Sequence, residues 1–205
     1  MDFALSPEQA LVVDTVRGFV ERELYPLEAE VERTGEVRPD VAATIRDKVI
    51  ALGFYAPNIP AIHGGGGLDR VTETLLEREL GRASMALTHF WHRPSAILCA
   101  GTPDQIARFL LPSVRGERMD CLAITEPGAG SDVRAMKTRA RRDGDGWILD
   151  GVKHFISHAD VADFAIVFAA TGEEDTPRGR RPLLTGFLVE KGAPGFEVRP
   201  GYRSV

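Results

Sequence analysis

Residues Leu122-Ala123-Ile124-Thr125-Glu126-Pro127-Gly128-Ala129-Gly130-Ser131-Asp132 join an apolar run to a turn with two glycines, then a hydroxyl and a carboxylate. Such a run predicts a strand that exits into exposed backbone N–H groups. Glycine lets those groups approach a ligand closely, and clustered N–H groups hold anions such as a pyrophosphate. The Thr125 and Ser131 hydroxyls offer further bonds to a heterocycle or a phosphate. The same residues also suit a plain Gly-rich turn between strands, and turn chemistry alone favours that plainer reading. The string is neither a dinucleotide fingerprint nor a phosphate loop, because it lacks the third glycine and the Gly-Lys-Ser/Thr ending.

Other chemistry-bearing residues read more plainly. His154 and His158 are four apart, which is metal-ligand spacing on a helix, but this segment reads as strand. There, positions four apart lie about 13 Å from each other at about 3.3 Å per residue, so no metal is expected. His89 and His92, with Phe90 and Trp91, fit a satisfied core or the lining of a channel, and His63 beside four glycines fits a loop. Cys99 and Cys121 read as small buried hydrophobes, too few for a disulfide framework. The Lys137–Arg142 strip reads as a solvated sheet face, with contact to a phosphate as the alternative.

These residues need elements to position them, and the two halves of the chain differ in period. Ser6-Pro7-Glu8-Gln9 is a capped helix start, followed by Val13, Val16, Val20, Leu24 and Leu27 on one stripe, with Pro26 expected to end or bend it. Val41, Ile45, Val49 and Leu52 form a second stripe closed by Gly53. Asp69 is the expected cap of a helix carrying Val71, Leu75, Leu76 and Leu80. Residues 84–100 predict a more buried helix kinked at Pro94. Thr102-Pro103-Asp104-Gln105 repeats the capped start and leads to Leu110-Leu111-Pro112.

From Asp120 onward the period is two. Expected strands are the run Cys121–Thr125, the alternating Lys137–Arg141, Trp147–Leu149 after the turn at 143–146, the buried run Phe164–Ala170, Leu184–Val189 and Phe196–Val198, with an exposed loop over 173–181. Helices first and strands second predict an α+β chain of two segregated domains, 1–118 and 119–205.

The 205 residues carry 25 basic and 30 acidic side chains, a formal net charge of −5, with 43% hydrophobic residues. That composition belongs to a globular chain and leaves no clustered positive field for nucleic acid. No stretch reaches the roughly 18 apolar residues of a membrane helix, and the first ten residues are not a secretory signal, so neither membrane nor nucleic-acid partners are expected and the cytoplasm is the expected location.

Taken whole, Thr125–Asp132 resembles the TEPGAGSD signature of the acyl-CoA dehydrogenase family of flavoproteins. Three further motifs follow in the family's order: Gly64–Asp69, similar to its GG-x-GLD loop; Gly101–Gln105, Phe109–Pro112 and Gly116-Glu117, similar to its GT-x-x-Q…LP…GE passage; and Gly151–Ser157, similar to G-x-K-x-W-I-T-N. The resemblance covers the whole chain and implies an N-terminal all-α domain followed by an antiparallel β-barrel-like domain. It implies FAD as cofactor, with Leu122, Ile124 and Thr125 along the isoalloxazine ring and Gly130 and Ser131 by the pyrophosphate, Ser131 also reaching the acyl-CoA substrate. Phe155, Ile156 and Ser157 would cover the other part of the ring.

Phe155 stands for the family's Trp, Ser157 for Thr and His158 for Asn, which points away from the best-known fatty-acid enzymes and leaves a flavin oxidase or monooxygenase as the alternative. The implied reaction is α,β-dehydrogenation of an acyl-CoA thioester, with an electron-transfer flavoprotein as acceptor and a dimer or tetramer as the assembly. The family's carboxylate base belongs to a C-terminal helical domain expected to be missing here, so no catalytic residue is assigned, and a non-catalytic fragment is the third reading. Glu126 is expected to bond turn amides instead.

Overall fold

The computed structural model describes residues 4–91, 93–177 and 179–199. The chain divides into two compact units, Met1–Glu117 and Arg118–Val205.

The first unit is helical. Helix α1 (Pro7–Phe19) opens on a capping box: the Gln9 amide donates to Ser6 Oγ at 3.2 Å and the Ser6 amide to Gln9 Oε1 at 3.1 Å. That satisfies two N–H groups which the first helical turn leaves without partners. Pro26 does not end the stripe. A π-helical turn, Val20–Leu24, intervenes, and Pro26 falls in the first turn of a new helix, α2 (Tyr25–Thr34). A proline there forfeits no intrahelical bond, and so Val13, Val16, Val20 and Leu24 stay buried on one side.

Helix α3 (Pro39–Ala51) buries Ile45 and Val49 and passes through Leu52 into Gly53 at φ 75°. Helix α4 (Arg70–Leu80) is capped by Asp69, whose carboxylate accepts from the Val71 and Thr72 amides, and buries Leu76 and Leu80 while Val71 stays exposed. Two carboxylates are also buried on α4. Glu79 is held from α1 by the Arg17 fork at 3.0 and 3.2 Å, from its own helix by Arg78 and from just past the helix end by Arg82, and Glu73 is held by Arg70 and Arg93.

The long helix expected over 84–100 is absent. Helix α5 covers only Met85–Thr88, and the next helical stretch is a 3₁₀ turn, Ala96–Ala100. Pro94 lacks the donor a helix needs and turns Arg93 away from helical geometry. Trp91 anchors the break: its indole N–H donates to the Phe54 carbonyl at 2.8 Å, and its ring meets Phe19 edge-on at 5.4 Å. His92 lies outside the described residues. The unit closes with α6 (Pro103–Gln105), capped by Thr102 through a second capping box, a π turn Ile106–Leu110, and α7 (Leu111–Val114).

The second unit is one five-stranded sheet: β1 (Asp120–Ala123), β2 (Arg139–Asp143), β3 (Gly146–Asp150), β4 (Phe164–Thr176) and β5 (Gly179–Glu190). It is mixed rather than wholly antiparallel. β1 runs parallel to β4 from Asp120↔Phe164 to Ala123↔Val167, and β2 meets β4 in parallel at Arg139↔Ala170. The β2–β3 and β4–β5 pairs are antiparallel hairpins.

Residues 173–181 are not a loop: β4 and β5 continue as a ribbon to Thr176↔Gly179, with a bulge at Ala170/Gly172. Opposite charges face each other there, with Arg180 reaching Glu173 and Asp175, so a polar stretch sustains strand pairing. Phe196–Val198 is not a strand. Phe196 is apolar because it packs against the core of Cys121, Ala123, Ala162, Ala165 and Val167. Among the described residues no helix is long and apolar enough to cross a membrane.

Candidate active site

Strand β1 shows the period of two at the point where it matters. Cys121 and Ala123 face the core, while Leu122 between them is 43% exposed. The chain then leaves the sheet with Ile124 and Thr125 half-buried and turns through Glu126–Ala129, whose backbones bond reciprocally at 2.9 and 3.2 Å. Gly130 and Ser131 follow in the open, and Asp132 caps a short 3₁₀ turn, Val133–Ala135, that leads down to the buried Met136.

The two glycines of this turn are not demanded by the fold. Neither Gly128 nor Gly130 has a positive φ, and a Cβ at either would meet nothing within 4 Å. The four glycines at 64–67 behave otherwise. A Cβ on Gly65 would lie 2.2 Å from the Ile59 carbonyl oxygen, Gly64 and Gly67 take φ of 82° and 59°, and the amides of Gly66 and Gly67 bond back to Ala56 and Ile59. Gly64–Gly67 is thus a folding feature. Gly128 and Gly130 leave an open backbone cradle with room for a ligand to approach.

Beneath the turn, Glu126 gathers three segments. Its carboxylate accepts from the backbone amides of Lys137 at 2.6 Å and Thr138 at 3.0 Å and from Lys153 Nζ at 2.8 Å. Burial pushes its pKa up, but these donors outweigh burial and bring it down to about 2. Glu126 is therefore ionised and fully engaged, unsuited to act as a base. The amides it bonds are those at the entry to β2, not those of its own turn.

Lys153 also donates to the Ile124 carbonyl at 3.0 Å, and the next amide, His154, donates to the Thr125 carbonyl at 2.8 Å. The segment after Gly151 is not the expected strand. Residues 152–157 lack regular structure, and Phe155 and His158 take φ of 56° and 67°. Phe155 is 65% exposed, with its ring stacked on His154 at 3.9 Å between centroids. Ile156 instead packs on the sheet core, and Ser157 is exposed.

The fold thus brings the exit of β1 (Leu122, Ile124, Thr125) beside the 153–157 loop through Lys153 and His154, and places Gly130 and Ser131 at the open end of the turn. Lys153 was not singled out from sequence. Its signal was the lysine that the G-x-K-x-W-I-T-N resemblance holds at this position. Cys121, held up to about 11 by burial and by Asp120, has no thiolate at neutral pH. Among the described residues no group of His, Cys, Asp and Glu could hold a metal ion.

The chain is thus a helical unit followed by a mixed sheet whose first strand exits into a glycine-containing turn. The family model described as "Acyl-CoA dehydrogenase, N-terminal domain" matches residues 6–117, and "Acyl-CoA dehydrogenase, middle domain" matches residues 121–205. The chain belongs to the acyl-CoA dehydrogenase family.

Among curated relatives it is 39% identical over 198 residues to a cyclohex-1-ene-1-carbonyl-CoA dehydrogenase of Geobacter metallireducens, covering 94% of this chain and 50% of that protein. It is 35% identical over 188 residues to a 3-(aryl)acrylate reductase of Clostridium sporogenes, covering 89% and 48%. Among solved structures, a glutaryl-CoA dehydrogenase of Mycobacterium smegmatis in complex with FADH2 superposes with a TM-score of 0.79 at 28% identity, covering 98% of this chain and 50% of that one. The chain spans about half the length of the curated relatives it matches.

Proposed function

We propose that this chain forms the flavin-binding part of an FAD-dependent enzyme that introduces an α,β double bond into an acyl-CoA thioester. The observation that carries the reading is the pair Gly128 and Gly130, glycines that no turn geometry and no neighbour requires, set beside an exposed Leu122 and an exposed Phe155. Those residues fit FAD. Leu122 and Phe155 offer apolar surface to the ring, the Thr125 and Ser157 hydroxyls offer hydrogen bonds at its polar edge, and the open amides around Gly130 and Ser131 suit the pyrophosphate.

Bound there, FAD supplies the hydride acceptor for the substrate's β-carbon. The chain's own residues bind and orient: Phe155 and Leu122 exclude water from the ring, and Ser131 reaches both cofactor and thioester. Glu126, already ionised and bonded, takes no part in α-proton removal, and that base is assigned outside these 205 residues. The proposed reoxidant is an electron-transfer flavoprotein and the proposed assembly a homo-oligomer.

The test is the visible spectrum of the purified chain after addition of FAD and removal of the excess. Flavin bands near roughly 370 and 450 nm that stay with the protein support the site. A chain that retains no FAD at any concentration up to the millimolar range overturns it. Rapid oxygen consumption by a flavin-loaded longer protein, without need of an electron acceptor, would move the reaction to an oxidase.

A further inference from the structure

We propose that Lys153 and Glu126 form a positioning clamp that holds the Phe155 loop in its outward, left-handed conformation, and that the shape of the cofactor wall depends on it. The inference rests on the flavin reading above for its ligand, but not for its geometry.

Three separate stretches of chain meet at this pair. Lys153 Nζ lies 3.0 Å from the Ile124 carbonyl, 2.8 Å from Glu126 Oε1 and 3.9 Å from Met136 Sδ, and Glu126 holds the amides of Lys137 and Thr138. Both charged groups are removed from solvent, with side chains 10% and 5% exposed. A buried pair of this kind is costly to assemble and tolerates no loose geometry, so each partner fixes the other.

The loop needs such a fixture. Residues 152–157 form no strand or helix of their own, Ile156 alone among them packing on the sheet core, and φ of 56° at Phe155 is a conformation that a bulky aromatic residue rarely adopts. A residue persists there only where its flanks over-determine it. On the far side, the His158 carbonyl accepts from the Val161 and Ala162 amides at 3.1 and 2.9 Å. On the near side, Lys153 donates to the Ile124 carbonyl and the His154 amide to the Thr125 carbonyl. The Phe155 ring, 65% exposed and stacked on His154, is the surface proposed to meet the ligand, and Lys153 acts on it only through the backbone. It is a positioning residue.

Lys153→Met keeps the apolar stem and removes the cation, and Lys153→Gln keeps a donor on a side chain too short to span both acceptors. Each is read twice on the whole chain: by amide hydrogen exchange without ligand, and by titration with FAD. The clamp predicts exchange at His154 faster by about tenfold or more, with Ile166 and Ala169 in β4 unchanged, because the opening is local. It also predicts FAD affinity weaker by about tenfold, a readout that a general packing role at constant fold would not move.

Unchanged His154 exchange in either folded variant, or equal loss of protection in β4, overturns the clamp. If the unsubstituted chain takes up no FAD, the flavin reading fails by itself, and the exchange pattern still decides the clamp.

Discussion

Glu126→Gln isolates the electrostatics on which the site is built. The carboxylate is held from an ordinary 4.5 down to about 2, and its side chain is only 5% exposed. At about 1.4 kcal/mol per pKa unit, the ionised form contributes about 3 kcal/mol to the sheet unit. The folded-state pKa is depressed, so this stability is present above the unfolded value near 4.5 and is lost as pH falls toward 2. Glutamine keeps the shape but must turn an NH2 toward one of the two backbone donors or toward Lys153.

Urea unfolding followed by Trp147 fluorescence, with Trp91→Phe so that only the sheet unit reports, should find the variant about 3 kcal/mol less stable at pH 7 and only about 1 kcal/mol less stable at pH 3. A gap below about 1 kcal/mol at pH 7, or the same gap at both pH values, would refute the reasoning.

The remaining expectations concern the other structural contrasts. Gly130→Ala should leave stability within about 0.5 kcal/mol, since its Cβ meets nothing, yet weaken FAD retention about tenfold or more; thermal unfolding and FAD titration check the two halves. Gly65→Ala should cost about 2 kcal/mol or more in the helical unit, its Cβ lying 2.2 Å from the Ile59 carbonyl oxygen, as circular dichroism melts would read. Glu79→Gln should destabilise the helical unit by about 3 kcal/mol at neutral pH. Glu79 is held at about 2 chiefly by its hydrogen bond to Arg17, so the penalty should fade as pH drops below about 4.5 in urea titrations.

Local signals in the sequence translated well, and non-local ones poorly. The helix starts at Ser6, Asp69 and Thr102 were legible because a cap bonds amides two or three residues away and needs nothing else. The buried run Phe164–Ala170 was legible because a strand covered on both faces is apolar throughout. The break after Thr88 was not. Its apolar residues serve Trp91's packing on Phe19 and Phe54, which are 72 and 37 positions away in the chain, and periodicity cannot separate that from a buried helix. The continuation of β4 and β5 into the expected loop 173–181 was missed because acidic and basic residues there face each other across two strands, and read singly they look like a solvated loop.

The site divides in the same way. The turn from Thr125 to Asp132 is contiguous and so could be recognised as a string. Lys153 falls on the lysine of the G-x-K-x-W-I-T-N string, but its role could not be read there, because its partners Ile124 and Glu126 lie 29 and 27 residues upstream and give it meaning only once β1 is folded against the loop.

The glycines separate what the chain requires from what a ligand requires. In a folded protein a glycine has a local reason when its φ is positive or a neighbour fills the space of its Cβ, and Gly64, Gly65 and Gly67 each have one. A glycine with neither reason costs conformational entropy on folding and repays nothing within the chain. Gly128 and Gly130 are of that second kind, and they sit at the exposed end of the strand whose other exposed residue is Leu122. In the proposed reading the offset comes from a ligand that docks after folding and comes closer to the backbone than a side chain would permit. Gly130→Ala is thus the sharpest single substitution for the flavin reading: the fold predicts indifference to it, and the proposed function predicts loss.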